Sequence, residues 1–338
     1  MIMKIWIKYL IGIALGLASA LILPFDSLQG VSILNFITEI FVRLGRYILV
    51  PLLFFSGIMA VYRLNDAKLV GKTTIWTVCV IIGSSLLLTL LGFLSIVLVK
   101  LPRIPIITEK VSQVSTIDIQ SLIREMIPFS SIESLSHGSF LLPCFIFALI
   151  VGAGCCMEHS NLKPILSLTD SLSELFFNIS TLFTDIIAIG IIAIMCNWTI
   201  QFKSVIKSGV FTPLIIMLTV DFIIVAGIIY PLIVRALCRG GKPFKVLHAC
   251  IVPFITSFFS GDTNLTLPVN MRLGKERLGI RQRTNGFAYP LFSIFARGGS
   301  ALVVTISFVV IWRSYSTLNI EFLDMMWISI TAFFRCVM

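Results

Sequence analysis

Long apolar runs separated by short polar turns occupy most of this chain, and they predict transmembrane helices. An apolar helix of about 20 residues is long enough to cross the hydrocarbon core of a bilayer. The runs of about this length or more predict seven spans, at residues 5–23, 33–62, 73–99, 139–157, 166–198, 205–237 and 286–311. The polar stretch 101–138 is predicted to be an external loop, and a last apolar run, 322–338, is a predicted C-terminal stub.

The segment between the sixth and seventh spans departs from this pattern. Its apolar arms, 244–259 and 265–273, are each too short to cross, and basic residues flank both outer ends. With a polar tip at 260–264, it is predicted to be a re-entrant hairpin. The seventh span is also interrupted, at 296–300. Paired broken helices indicate a transporter's binding site, because non-helical backbone at membrane depth is buried or lines a cavity; the alternative is two kinked structural helices.

Composition places the chain among multi-pass membrane proteins. It is 57% hydrophobic and 12% charged, with a mean hydropathy of +1.03, so no water-soluble domain is expected. The net charge of +10 comes from Lys and Arg concentrated in loops on one predicted side, which indicates membrane topology rather than nucleic-acid binding. Lys4 and Lys8 precede the first span, so we expect a cytoplasmic N-terminus in a plasma (inner) membrane protein with an uncleaved first span.

The hairpin tip carries most of the candidate chemistry. Its polar residues are Asp262, Thr263, Asn264 and Thr266. Free backbone N–H groups and the positive end of a helix dipole suit a carboxylate, whereas hydroxyl and amide oxygens suit a sodium ion. Asp262 would repel an anionic substrate unless it were paired. We predict a pair with Arg297, with Asp185 or Asp221 as alternative partners for that arginine.

Small residues elsewhere allow two interpretations each. Gly298 and Gly299 permit either an unwound turn or close helix packing. For the pair we favour the turn, and for Gly299 the two are balanced. In the third span, Ser84, Ser85 and Thr89 either line a cavity or bond back to their own helix, and we favour the second.

Enzymatic chemistry is not predicted. The three histidines are scattered, and the chain lacks the motifs of zinc proteases, serine hydrolases and phosphate-binding loops. The eight cysteines show no spacing typical of metal ligands. We therefore expect no enzymatic activity, no bound cofactor and no structural metal.

Three stretches resemble the dicarboxylate/amino acid:cation symporter family, which includes the glutamate and aspartate transporters. Residues 266–272 read TLPVNMR, residues 290–302 read PLFSIFARGGSAL, and the run 41–51 is also similar. The resemblance implies an all-α, glutamate-transporter-like membrane fold with about seven spans and one re-entrant hairpin. The second hairpin and the last span of the family are missing, so the chain is expected to be C-terminally truncated.

The resemblance also implies a function. It implies a secondary active transporter (a symporter-like protein) for acidic amino acids or dicarboxylates, assembled as a homotrimer in the lipid bilayer and working by an elevator-type movement. Within residues 1–241, spans 1, 2, 4 and 5 would form a scaffold, and spans 3 and 6 would join the transport unit. Residues 242–338 would add the hairpin, the interrupted seventh span and the stub. Substrate contacts carry over to the hairpin tip, Gly299 and Ser300.

Departures from the family concern the coupling ion. The family's sodium-coordinating Asn and Asp fall on Ala296 and Gly298, and Arg297 stands between them. In the third span, the family's polar trio falls on Val80, Gly83 and Ser84, and of these only Ser84 keeps a side-chain oxygen. Ordinary sodium coordination is not expected, and Arg297 is predicted to act as a tethered substitute cation; sodium and proton both stay open as coupling ions. The alternative is a non-transporting remnant or a scaffold subunit that needs a second chain, and an ion channel is a third class.

Overall fold

The computed structural model describes residues 5–22, 28–99, 124, 126–136, 141–157, 162–209, 211–238, 243–315 and 322–337. These residues are mostly helical and contain no strand. The α-helices are α1 (Ile5–Ile22), α2 (Leu28–Tyr47), α3 (Leu49–Asp66), α4 (Val70–Leu98), α5 (Ser131–Ser136), α6 (Leu142–Met157), α7 (Lys163–Ser208), α8 (Thr212–Ile224), α9 (Tyr230–Leu237), α10 (Pro243–Ser260), α11 (Leu267–Glu276), α12 (Gln282–Phe295), α13 (Gly298–Tyr315) and α14 (Phe322–Val337).

Five stretches are long and apolar enough to cross a membrane. They are Gly30–Asp66, Val70–Leu98, Lys163–Lys203, Thr212–Leu237 and Gln282–Ser314. These stretches correspond to the predicted second, third, fifth, sixth and seventh spans. The predicted first and fourth spans correspond to the shorter apolar helices Ile7–Ile22 and Leu142–Met157. The described part of the chain is therefore an all-helical, multi-pass membrane protein, while the count of seven spans stays a prediction.

Prolines account for two distortions inside these stretches. α2 ends at Tyr47 and α3 begins at Leu49, four and two residues before Pro51. A proline ring clashes with the carbonyl group four residues earlier, and this clash produces a kink. Likewise, the π-helical turn Val225–Ile229 separates α8 from α9 just before Pro231, which has no N–H to continue the helix.

The chain forms two compact units that interleave along the sequence. The first comprises Met1–Thr74, Asp118–Phe202 and His248–Ile294, and the second comprises Ile75–Ile117, Lys203–Leu247 and Phe295–Met338. The predicted division at residue 242 follows the chain in order and does not coincide with these units. The assignment of a scaffold and a transport unit stays a prediction.

Each unit has its own apolar core. In the first unit, side chains from α3, α6, α11 and α12 form one cluster, which includes Leu52, Leu53, Phe145, Leu267 and Phe287. This cluster fixes the second hairpin arm against α3 and α6. In the second unit, α4, α8, α13 and α14 form another cluster, which includes Leu88, Ile96, Met217, Ile306, Val309 and Ile328.

Candidate functional site

The predicted hairpin tip is a break between two helices of the first unit. α10 ends at Ser260 and α11 begins at Leu267. Gly261 has φ +62°, a left-handed conformation that ends helices and that glycine adopts without steric cost. Its N–H still donates to the Ser257 carbonyl at 3.0 Å. α10 therefore ends directly before Gly261, the residue that adopts the left-handed conformation.

Asp262 holds the tip in place with both oxygens of its carboxylate. The Arg46 Nε donates to Oδ2 at 2.6 Å, and the Asn264 backbone N–H donates to Oδ1 at 2.9 Å. The Asp262 side chain is only 10% exposed, whereas that of Arg46 is 40% exposed. This carboxylate is therefore a structural anchor with a balanced charge, and its contact with a substrate stays a prediction.

Each carboxylate predicted as a partner of Arg297 has another partner within its own unit, while the pairing of Arg297 itself stays a prediction. The three candidate carboxylates have other partners: Arg46 for Asp262, Lys8 for Asp185 (Nζ to Oδ1, 3.3 Å) and Ser95 for Asp221. Arg297 lies in the second unit with an exposed side chain. Arg46 reaches Asp262 because α2 stops at Tyr47, before Pro51. This places Arg46 in the last helical turn, beside the tip.

Hydroxyl groups complete the tip. The Ser293 Oγ of α12 lies 3.2 Å from the Asn264 Oδ1 and 3.5 Å from the Thr263 carbonyl oxygen. Thr266, which is 3% exposed, donates to the same carbonyl at 2.6 Å. The Thr263 side chain is exposed, and Asn264 is half-buried. Of the four predicted tip residues, Asp262 and Thr266 thus maintain the turn, and the site role of all four stays a prediction.

The second break lies in the second unit, between α12 and α13. Its unwound residues are Ala296 and Arg297. The Arg297 N–H donates to the Phe295 carbonyl at 2.9 Å, and the Arg297 carbonyl accepts from the Ala301 N–H at 3.1 Å. Ser300, in the first turn of α13, is exposed. The interruption predicted in the seventh span is present, and backbone hydrogen bonds bridge it.

Neither glycine after this break forms a turn, and Gly298 packs closely against α4, which corrects the favoured interpretation of the pair. Gly298 and Gly299 are the first residues of α13, and neither has a positive φ. A Cβ on Gly298 would lie 2.9 Å from the Ser85 Cα and 2.9 Å from the Leu88 Cδ1, whereas one on Gly299 would meet nothing within 4 Å. Gly298 therefore permits the close approach of α13 to α4, as small residues do in membrane proteins.

The predicted back-bonding of hydroxyls in the third span is confirmed at two positions. Ser84 donates to the Ile81 carbonyl at 3.1 Å, and Thr89 donates to the Ser85 carbonyl at 2.8 Å. The Ser85 Oγ is buried beside Gly298 and has no hydrogen-bond partner among the described residues. The hydroxyl hydrogen of Ser84 is thus used within its own helix.

The nine predicted site residues fall into two groups. Asp262, Thr263, Asn264 and Thr266 belong to the first unit, and Ser84, Arg297, Gly298, Gly299 and Ser300 belong to the second. In the described ranges, no group of three or more His, Cys, Asp and Glu is placed to hold a metal ion. The sequence analysis missed Arg46 and Ser293. Arg46 had a signal, because an arginine at membrane depth requires a partner, whereas Ser293 had none.

Comparison with known proteins identifies the family. A model of the sodium:dicarboxylate symporter family matches residues 1–337, which is nearly the whole chain. The chain belongs to this family. The resemblance noted in the hairpin and the seventh span is thereby confirmed.

Individual relatives of this symporter family member are distant. The C4-dicarboxylate transport protein of Pseudomonas savastanoi pv. phaseolicola is 22% identical over 82% of this chain and 61% of its own length. The serine/threonine transporter SstT of Lacticaseibacillus casei is 23% identical over 89% of the chain and 67% of its own length. SstT of Streptococcus agalactiae serotype III is 24% identical over 88% of the chain and 72% of its own length. The chain thus spans roughly three-fifths to three-quarters of these relatives, which are transporters rather than enzymes.

Proposed function

We propose that this chain transports small solutes that carry a carboxylate, with acidic amino acids or dicarboxylates as substrates, by secondary active transport. Membership of the symporter family supports transport. The relatives are named as carriers of C4-dicarboxylates and of serine and threonine. These two substrate classes share a carboxylate group, so recognition of that group is the common requirement.

The Arg46–Asp262 salt bridge is the observation that carries this proposal. An ionised Asp262 without a partner would repel a carboxylate that approached the tip. With Arg46 Nε 2.6 Å from Oδ2, that charge is balanced inside the protein. The exposed Thr263 hydroxyl and the half-buried Asn264 amide can then donate to the solute carboxylate, next to the positive end of the α11 dipole.

The second break supports coupling to an ion other than sodium. Sodium binding needs several oxygen ligands, and the side chains of Ala296, Arg297 and Gly298 supply none. The exposed guanidinium of Arg297 instead places a permanent positive charge at this break. We therefore propose that Arg297 takes the place of a coupling cation there.

The remaining parts of the proposal come from the family resemblance and from the pattern of apolar and basic residues in the sequence. They are an elevator-type movement, a homotrimer, seven spans with one re-entrant hairpin, and a plasma (inner) membrane location with a cytoplasmic N-terminus. The mass of the purified protein in detergent or nanodiscs tests the assembly. A mass of three chains of 37.6 kDa supports the trimer, and the mass of one chain contradicts it.

Uptake into proteoliposomes tests transport itself. Purified protein is reconstituted, and entry of labelled succinate, glutamate, aspartate, serine and threonine is measured with an inward sodium gradient, with an inward proton gradient and with neither. We expect saturable entry of at least one dicarboxylate or acidic amino acid that does not depend on sodium. Absence of entry for all five solutes, in vesicles that contain folded protein, would favour the non-transporting alternative.

A further inference from the structure

Asp221 occupies a position in α8 where the packing pattern calls for an apolar residue. Met217, Asp221 and Val225 follow each other at four-residue intervals, and these are the buried positions of α8 and the π-helical turn after it. Residues at this spacing share one helix face. Met217 and Val225 belong to the apolar cluster of the second unit. Asp221 lies between them and is 3% exposed.

The carboxyl group of Asp221 has one hydrogen-bond partner among the described residues. The Ser95 Oγ of α4 lies 2.6 Å from Oδ1. The second oxygen, Oδ2, is buried and has no hydrogen-bond partner within the described ranges. A buried polar atom without a partner is rare in proteins and calls for an explanation. A permanently ionised carboxylate is a poor explanation, because an isolated charge at this depth is strongly unfavourable.

No described cation is placed to balance this carboxylate. The charged residues on the helices of the cluster lie near the helix ends: Lys72 in α4, Arg235 in α9, Arg313 in α13, and Asp324 and Arg335 in α14. The titratable side chains of Cys79 in α4 and Tyr230 in α9 are exposed. Arg297 is also exposed. A sodium ion would need several more oxygen ligands than one carboxyl and one hydroxyl provide.

We infer that Asp221 and Ser95 form a reversible proton-binding site. A proton needs only one oxygen, and its binding removes the charge that burial disfavours. A serine hydroxyl both donates and accepts hydrogen bonds. Ser95 therefore donates to Oδ1 when Asp221 is ionised, and it accepts from the carboxyl group when Asp221 is protonated. The same 2.6 Å contact serves both states, and the carboxyl gains one proton and loses its negative charge.

Only the coupling role of this site in transport rests on the proposed function. If the chain is a transporter, Asp221 binds the coupling proton, for which the second break offers no binding residue. Neutralisation of Asp221 then uncouples uptake from a proton gradient. The proton-binding site itself is a property of the folded protein, and it is measurable even if no solute crosses the membrane.

Infrared difference spectroscopy of the full chain in lipid vesicles tests the site directly. Stepping the pH should reveal a protonated-carboxyl C=O band from a buried acid. We expect Asp221→Asn to abolish this band. The matched control is Asp170→Asn, which removes a carboxylate that is 43% exposed and paired with Arg63, and it should leave the band unchanged. A band that persists in Asp221→Asn, or the absence of any such band in the unmodified protein, overturns the inference.

A second variant, Ser95→Ala, keeps the inference testable if Asp221→Asn does not fold, and uptake measurements test the coupling role if it does fold. Ser95→Ala removes the partner hydroxyl, so it should shift the frequency of the band, and an unshifted band would contradict the pairing. In proteoliposomes that take up solute, Asp221→Asn should lose stimulation by the proton gradient and keep exchange of labelled for unlabelled solute. Stimulation equal to that of the unmodified protein would contradict the coupling role. No uptake by the unmodified protein would count against the proposed function and leave the infrared test intact.

Discussion

The two helix interruptions of this chain are held together by different forces. At the hairpin tip, side chains make the connections: Asp262 bonds to Arg46 and to the Asn264 N–H, and Ser293 contacts the tip from α12. At the break before α13, only backbone groups bond across the gap, and Gly298 allows close packing on α4.

This difference separates the proposed recognition site from a site of packing. The tip combines a balanced charge with hydroxyl and amide groups, as the binding of a polar solute requires. The second break depends on the absence of side-chain volume at Gly298, and its polar residues Arg297 and Ser300 are exposed. Changes of charge should therefore damage the first break, and changes of volume should damage the second.

The largest effect is expected at the tip, from Arg46→Ala. This change leaves the Asp262 carboxylate without its cation, and breaking a buried pair costs about 3–5 kcal/mol. Because Arg46 is 40% exposed, we expect a loss of about 2–4 kcal/mol in the free energy of unfolding. Denaturant unfolding in detergent measures it.

A neighbouring arginine provides the control for this prediction. Arg43 is 78% exposed and pairs with Glu39 in the same helix, so Arg43→Ala should cost about 0.5 kcal/mol or less. The double change Arg46→Ala with Asp262→Asn should recover part of the lost stability, since Asn keeps the oxygen that accepts from Asn264. A double variant no more stable than Arg46→Ala would show that the charge pair is not the cause.

The second break should respond to a single methyl group. Gly298→Ala places a Cβ 2.9 Å from the Ser85 Cα, and overpacking of this kind costs about 1–3 kcal/mol. Gly299→Ala places its Cβ in open space and should change stability by about 0.5 kcal/mol or less. Melting temperatures of the two variants measure the difference, and equal values would refute the packing role of Gly298.

Backbone geometry at the tip predicts a smaller effect. Gly261→Ala puts a side chain on a residue with φ +62°, which costs about 1–2 kcal/mol. Gly154→Ala is the matched change inside α6, where nothing lies within 4 Å of the new Cβ. That control should be neutral or slightly stabilising. If thermal unfolding shows the same stability change for both variants, the left-handed conformation of Gly261 is not required for the stability of the tip.

The smallest effect is expected from the contact between α12 and the tip. Ser293→Ala removes a hydroxyl that lies 3.2 Å from the Asn264 Oδ1. A half-buried hydrogen bond of this kind contributes about 0.5–1 kcal/mol. Ser167→Ala removes an exposed hydroxyl that bonds within its own helix, and it should cost less. Chemical unfolding of both variants makes the comparison, and a larger loss in Ser167→Ala would contradict it.

Local chemistry allowed the sequence to predict most of the chain's helices and both interruptions. Apolar run length located the long helices, and the polar residues within 260–264 and 296–300 located the two interruptions. Pairing over long distances was not predictable. Asp262 and Arg46 are 216 residues apart, and several charges at similar depth were equally plausible partners. The role of Gly298 was ambiguous, because a missing side chain permits both turns and close packing.

Binding of a solute carboxylate to the tip is the central claim, and Thr263 tests it most directly. The measurement is equilibrium binding of labelled succinate, glutamate and aspartate to purified protein, to Thr263→Ala and to Thr219→Ala, an exposed threonine whose hydroxyl bonds within α8. We predict that Thr263→Ala weakens binding of the preferred solute about tenfold, which corresponds to one lost hydrogen bond to a charged group, and that Thr219→Ala binds like the unmodified protein. Equal affinities in all three proteins would contradict the account.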